Sequence, residues 1–492
     1  MRWRLVGNVV AEMLSRLRDK YRSLSPQVRA SFWFLFCSVM QKGISVITTP
    51  IFTRLMTTPE YGKFNVFNSW YSIVSVIITL NLSSSVYLVG LVKFEERERE
   101  FSSTLQGLTL VLCLAWAGVY TLSKEFWNEL FQLTTIQMLS MLVMVWSTAA
   151  FTFWMTEQRN RFRYRLLVAV TLLTSVLKPT VGILLVIYAE DRVTARIVGL
   201  AAVELACYTG FFVVQMARGR RFYSGEFWRY AVLFNLPLVP HYLSTVVLAS
   251  SDRIMVQRMI GESAAGIYSL AYSIGQLMNM VNDALNKAVS PWIYQRIRAG
   301  EEGAVRRVVY PSIAVVGAMN LALIAVAPEL VAVFAPPEYY EAIYVIVPVA
   351  VNGVFAYLYL CLAPFEFYFE KRAYTTTATL VSALANVGLN LVCIPRFGYV
   401  AAGYTTLACS VVNALIHMFY VNRVCDEHLD GARPYDMRAL MAIGGAFVVV
   451  GLLFVPTYAH PLVRYGLLLA AVLAAVLNRD RAMSYACSPM GK

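Results

Sequence analysis

The segment FNVFNSWYSIVSVIITLNLSSSVYLVG, residues 64–90, decides the class of this protein. It holds no charged residue over a length that crosses a hydrocarbon core of ~30 Å as a helix. It also carries Asn65, Asn68, Ser69, Ser72, Ser75, Thr79 and Ser83 at helical spacing, so one face of an otherwise apolar helix is polar. Working outward, comparable apolar runs recur near 31–55, 101–122, 134–155, 166–188 and 196–216, then near 228–250, 264–290, 308–334, 341–363, 373–394, 399–421, 439–456 and 462–477. The expectation is an all-α polytopic membrane protein of about fourteen spans. Composition agrees: of 492 residues, 58% are hydrophobic and 14% charged, with a mean hydropathy of +0.58. Little chain is left for soluble domains.

The net charge of +13 would suit nucleic acid only on a basic, water-exposed face, and here the cations sit mainly in short loops. Segments on one side hold 29 Lys and Arg against 8 on the other. By the positive-inside rule both termini are cytoplasmic and the span count is even. The start, residues 1–30, lacks an uninterrupted apolar core and a small-residue cleavage site, and reads as a basic amphipathic segment on the cytoplasmic surface. The eight cysteines form no C-x-x-C and lie mostly in apolar segments, which predicts free thiols and no metal site.

Positions compared at a constant offset of 204 reveal an internal repeat. Arg54 and Gly62 fall on Arg258 and Gly266, and Arg192 and Gly199 fall on Arg396 and Gly403, with no drift in register. Spans one to six therefore match spans seven to twelve as parallel repeats, an arrangement in which two bundles rock about a midplane site. The expected domains are a cytoplasmic segment over 1–30, six-helix lobes over 31–222 and 223–425, and two extra helices with a cytoplasmic tail over 426–492.

The repeat partner of the opening segment carries its own stripe: Ser269, Ser273, Gln276, Asn279, Asp283 and Lys287, six positions that align with the first at the same offset. The two stripes are expected to face each other, with Asn68, Ser72, Ser75, Thr79, Gln276, Asn279 and Asp283 lining a polar cavity. Small polar residues also serve simply to pack membrane helices. Ionisable groups at bilayer depth are costly and are placed toward a cavity or a partner. Asp283 and Lys287, four apart, have a mutual ion pair as their structural reading.

Lys42, Arg54 and Lys178 lack an acidic neighbour in sequence, and with Lys287 they suit an anionic headgroup, which Lys meets by charge and Arg by bidentate geometry. For Arg54, snorkelling to the interface is the alternative. Glu204, Asp283, Glu366, His241 and His417 are candidates for H+ or Na+ coupling. Pro237 and Pro240 interrupt the seventh span and are candidate hinge residues. Lys178-Pro179 does the same in the fifth. No phosphate loop, no H-E-x-x-H and no long soluble segment supports catalysis, so a transporter without cofactor is expected.

Two stretches carry a resemblance: SVITTPIFTRLMTTPEYGKFNVFNSWYSIVSVIITLNLSSSVYLVGLVKFEERERE (45–100) and SSDRIMVQRMIGESAAGIYSLAYSIGQLMNMVNDALNKAVSPWIYQ (250–295). They resemble the polysaccharide-repeat-unit (O-antigen, Wzx-type) flippases of the multidrug/oligosaccharidyl-lipid/polysaccharide (MOP) exporter superfamily. The resemblance implies a V-shaped two-lobed bundle in the bacterial inner membrane. It would move an undecaprenyl-diphosphate-linked oligosaccharide from the cytoplasmic to the periplasmic leaflet by alternating access, alongside polymerase and assembly proteins. Relatives that move a peptidoglycan precursor use arginines in the first, second and eighth spans, and Arg54 and Arg253 sit near comparable places. The competing readings are a drug or cation antiporter of the same superfamily, whose cavity would be acidic and aromatic, and a non-transporting scaffold for glycan enzymes.

Overall fold

The computed structural model describes residues 25–477. Most of the expected amphipathic segment, the C-terminal tail and Cys487 lie outside the described residues. Within them the chain is helical, with no strand. The first half runs α1 (Pro26–Leu55), α2 (Thr58–Thr79), α3 (Ser85–Lys93), α4 (Glu98–Leu122), α5 (Lys124–Phe131), α6 (Thr135–Asn160), α7 (Tyr164–Tyr188) and α8 (Arg192–Gly219), with α9 (Gly225–Asn235) leading on. The second runs α10 (Val239–Met259), α11 (Glu262–Gly275), α12 (Leu277–Ala299), α13 (Val305–Ala325), α14 (Ala327–Phe334), α15 (Ala342–Tyr368), α16 (Arg372–Phe397) and α17 (Val400–His428). Two more follow, α18 (Met437–Phe454) and α19 (Pro461–Leu477). The order repeats: the short α5 between two long helices returns as α14 between α13 and α15.

Eleven helices among the described residues are long and apolar enough to cross a membrane. The other three expected spans are helical too, as α2 with α3, α11 with α12, and α19. The first two carry the polar stripes, which lower their hydropathy, and the last is short. The expected seventh span needs correction. Its helix does not stop near residue 250 but continues to Met259, so Asp252, Arg253 and Arg258 lie in α10 and not in an outer loop. Three charges within seven residues read as loop by hydropathy, yet Asp252 is buried and hydrogen-bonded.

Local chemistry sets the helix ends. Thr134 and Gln137 form a reciprocal capping box at the start of α6, and Asp191 accepts from the Thr194 amide to open α8. Gly261, with φ of +131°, makes the turn between α10 and α11 that a side chain would strain.

The chain forms two compact units, one through Ile51 together with Val74–Val239, the other Phe52–Ile73 together with Pro240 onward. The division between these units falls at 239/240, and one piece of the first repeat packs within the second unit. The first unit is organised by aromatic rings: Tyr87 meets Phe153 edge-on at 4.8 Å, and Phe101 meets Phe227 at 5.3 Å, all four fully buried. The second is built around α15, buried along most of its length.

Why Phe52–Ile73 belongs to the second unit is visible at its glycines. A Cβ at Gly62 would run into the Glu262 carbonyl, and a Cβ at Gly266 into the Thr58 carbonyl. These four positions are repeat partners of one another, so α2 and α11 cross in a locally two-fold contact that only glycine permits. Lys63 closes it with an ion pair to Glu262 at 3.0 Å, and Thr53 donates to the Phe334 carbonyl at 2.6 Å.

Candidate functional site

In the first unit the structure brings two expected residues together. Lys178 on α7 and Glu204 on α8 are 2.6 Å apart, Nζ to Oε1, while the Thr148 hydroxyl donates to Oε2 at 2.8 Å. The Lys178 ammonium also sits 5.2 Å from the centre of the Tyr208 ring. A candidate headgroup cation and a candidate coupling carboxylate thus neutralise each other in this conformation. Lys42 lies half-buried on α1. Arg54, at the end of α1, donates to the Val333 carbonyl at 2.9 Å, which satisfies a free C=O in the last turn of α14.

The polar stripe on α2 bonds inward along its own helix. Ser72 donates to the Asn68 carbonyl at 2.9 Å and Thr79 to the Ser75 carbonyl at 2.7 Å. With the hydroxyl protons committed there, the outward chemistry of these oxygens is acceptance, and Asn68, Ser72 and Ser75 are only partly buried. In the partner stripe, Gln276 and Asn279 sit at the interruption between α11 and α12 and share a hydrogen bond of 2.6 Å. Asp283 and Lys287 lie on the exposed side of α12, and the Lys287 side chain makes no ion pair or hydrogen bond among the described residues. The mutual ion pair, the alternative structural reading of these two residues, is not formed.

Near the proline pair, α9 ends at Asn235, a single 3-10 turn covers Leu236–Leu238, and α10 begins with Val239 and Pro240. The Asn235 amide donates to the Leu80 carbonyl. Leu80 and Asn81, at φ of 49° and 53°, form the left-handed break after α2. Two helix interruptions are therefore tied together. His241, one residue on, has a buried Nδ1 with no partner among the described residues.

Two carboxylates of the second unit, Glu366 and Asp252, are the most deeply buried there among the described residues. Glu366 and His417 are both fully buried, with Oε1 and Nδ1 2.6 Å apart, and Thr375 donates to the other carboxylate oxygen at 2.9 Å. The second carboxylate is Asp252, which the sequence reading passed over. Its Oδ2 accepts from the Tyr268 hydroxyl at 2.7 Å and the Thr406 hydroxyl at 2.6 Å, and its Oδ1 from the Asn390 amide at 2.7 Å. Asn386 donates to Thr406 at 2.9 Å, and Thr405 donates to the Asn390 carbonyl oxygen. Arg253 turns away and stacks over Tyr272 at 4.2 Å. One carboxylate among neutral oxygen-bearing side chains is chemistry suited to a small monovalent cation or an exchangeable proton.

The polysaccharide biosynthesis protein family matches residues 28–297, more than half of the chain. The chain belongs to this family. As a polysaccharide biosynthesis protein it is similar, at 20% identity over 284 residues, to Lsg locus putative protein 1 of Haemophilus influenzae, a match covering 54% of this chain and 65% of that relative. Among solved structures, the lipid II flippase MurJ in an inward closed conformation superposes with a TM-score of 0.70 at 9% identity, over 90% of this chain and 98% of that one. An inward-facing multidrug resistance MATE family transporter of the MOP superfamily follows at 0.63 and 12% identity, over 79% and 96%. At such identities these likenesses establish fold alone: this polysaccharide biosynthesis protein is a multi-pass membrane protein with a helical fold like that of MurJ and the MATE transporter.

A sequence signal for the missed Asp252 site did exist in this family member. Asn386 and Asn390 stand four apart on one face of α16, with Thr405 and Thr406 on the next helix. What hid the site was the placement of Asp252 in a loop.

Proposed function

We propose that the protein is a flippase that carries an undecaprenyl-diphosphate-linked oligosaccharide from the cytoplasmic to the outer leaflet of the bacterial inner membrane by alternating access, for surface polysaccharide synthesis. The observation that carries this reading is family membership in polysaccharide biosynthesis combined with repeated polar stripes on α2 and on α11 with α12 of an exporter fold. A glycan's hydroxyls lose water in lipid unless the protein hydrogen-bonds them, and acceptor oxygens with amides at Gln276 and Asn279 supply both halves of that exchange. Lys42 and Lys287 are the candidate cations for the diphosphate, whereas Lys178 is paired with Glu204. Outward movement of an anion is favoured by ~2.3 kcal/mol per charge per 100 mV. Inward H+ or Na+ would add to this through Asp252 or the Glu366–His417 pair.

The test is a deletion in the native host, followed by extraction of lipid-linked oligosaccharide and determination of the membrane face it occupies. Accumulation on the cytoplasmic face, reversed by the intact gene but not by Lys42→Ala with Lys287→Ala, is expected. A normal distribution would overturn the proposal and turn attention to drug efflux, the antiporter reading.

A further inference from the structure

The first unit carries a cavity of about 250 Å³, partly open to solvent, that the proposed transport path does not use. Arg99 on α4, Arg161 and Arg163 between α6 and α7, and Arg218 on α8 surround it. Its remaining lining is also polar, from Ser102, Glu157 and Gln215. All four arginines come from segments that the Lys/Arg bias assigns to the cytoplasmic side.

The floor is a fixed construction. Gln215 is 2% exposed, and its amide donates to Glu157 at 2.9 Å and to the Tyr87 hydroxyl at 3.3 Å. Tyr87 in turn shares a hydrogen bond of 2.7 Å with Ser102. Arg161 is held by both Glu98 oxygens, at 2.5 and 3.2 Å, and lies 3.8 Å from Glu157, so the one carboxylate in the lining is already offset. The other three guanidinium groups have no ion pair or side-chain hydrogen bond among the described residues. Three guanidinium groups without ion pairs around one open, polar-lined cavity raise its positive potential, and a planar fork of donors matches phosphate oxygens in geometry as well as charge. At ~30 Å³ per water the cavity displaces about eight waters, room for a phosphate and its ester substituent.

We propose that this cavity binds a phosphate-bearing anion, held by Arg99, Arg163 and Arg218 above the Gln215–Glu157 floor. The same phosphate chemistry arrives either on an anionic lipid headgroup or on a soluble molecule, and the two sources are separable. In the soluble arm, inorganic pyrophosphate is titrated calorimetrically into the purified full chain. In the lipid arm, the protein in nanodiscs of phosphatidylcholine with phosphatidylglycerol is released for native mass spectrometry, and retained phosphatidylglycerol is counted. Each arm compares wild type with Arg163→Gln/Arg218→Gln, and with Arg165→Gln, an exposed neighbour outside the cavity, as the charge control. The double variant is expected to weaken binding at least tenfold in one arm while the control does not, and that arm names the source. Folding is checked by an unchanged elution volume and helical circular dichroism, with Arg218→Gln alone replacing the double variant if either changes. Equal binding by wild type and variant in both arms, or none in either, overturns the proposal.

Discussion

The two units repeat one backbone plan but partner their most deeply buried carboxylates differently. In the first, buried charge meets opposite charge: Lys178 with Glu204, and Arg161 with Glu98 and Glu157. In the second, the carboxylate of Asp252 meets hydroxyls and amides, and Glu366 meets an imidazole and a hydroxyl. At the repeat offset the polar sets do not correspond. The partner of Asp252 is Thr48, that of Asn386 is Gly182, and those of Lys178 and Glu204 are Ser382 and Ala408. A salt bridge fixes its protons and excludes a third ion, whereas a carboxylate held by neutral donors can exchange a proton or accept a cation without leaving a charge stranded. The repeat thus supplies symmetric mechanics, and the side chains assign a locked carboxylate to one unit and an exchangeable one to the other.

The largest effect is expected from unlocking the first unit. Glu204→Leu leaves the Lys178 ammonium without its carboxylate, and breaking a buried pair from one side costs about 3–5 kcal/mol. The lower end applies because the Lys178 side chain keeps 26% exposure. Adding Lys178→Met should return most of the loss. Apparent Tm in one fixed detergent reads both, and a double variant as unstable as the single one would mean the pair does more than neutralise itself.

Next comes the exchangeable site. Asp252→Asn presents an NH2 to hydroxyls that were donating to oxygen, with a loss on the order of 1.5–3 kcal/mol for hydrogen bonds to a charged group. The distinctive expectation is functional: in proteoliposomes the part of transport that depends on a Na+ or pH gradient disappears, while the part driven by membrane potential persists. If gradient dependence survives in Asp252→Asn but not in Glu366→Gln, the coupling group is Glu366, and the contrast between the units stands with a different residue carrying it.

What the repeat contributes is tested at the crossing of α2 and α11. Gly62→Ala and Gly266→Ala each force a methyl against a backbone carbonyl, an overpacking cost of about 1–3 kcal/mol. Because the contact is locally two-fold, the two costs should match, as read by Tm. A clear inequality would show that the shared backbone plan is not mechanically symmetric.

The mechanics were more legible than the chemistry, for a physical reason. Span length, loop charge and the 204-residue offset are properties of the chain read in order, so the helices and the repeat could be seen in it. The Lys178–Glu204 pair joins residues on adjacent helices 26 positions apart, and Asp252 meets Asn390 at 138 positions. No periodicity within one helix announces such partners. Hydropathy also misleads where a charge is internally satisfied, as with Asp252 in α10, or with Arg464. That residue counts among the outer cations at the start of the last expected span, yet is 2% exposed in α19 and paired with Glu329.

The smallest effect concerns Arg54, whose position at the end of α1 supports two incompatible roles. As a diphosphate ligand it would have to present its guanidinium to the substrate; in the structure one of its nitrogens donates to the Val333 carbonyl at the end of α14. Arg54→Lys keeps the charge and loses the fork. If the residue serves the helix end, an ammonium can still reach a carbonyl near the negative end of the helix dipole, and stability falls by no more than about 1 kcal/mol. Flipping then continues near the wild-type rate. If it binds a diphosphate bidentately, stability is unchanged but flipping drops, because a point charge does not replace two parallel hydrogen bonds. Measuring Tm and flipping on the same preparation separates these outcomes, and a drop in flipping alone would return Arg54 to the substrate site and leave the end of α14 without its specific cap.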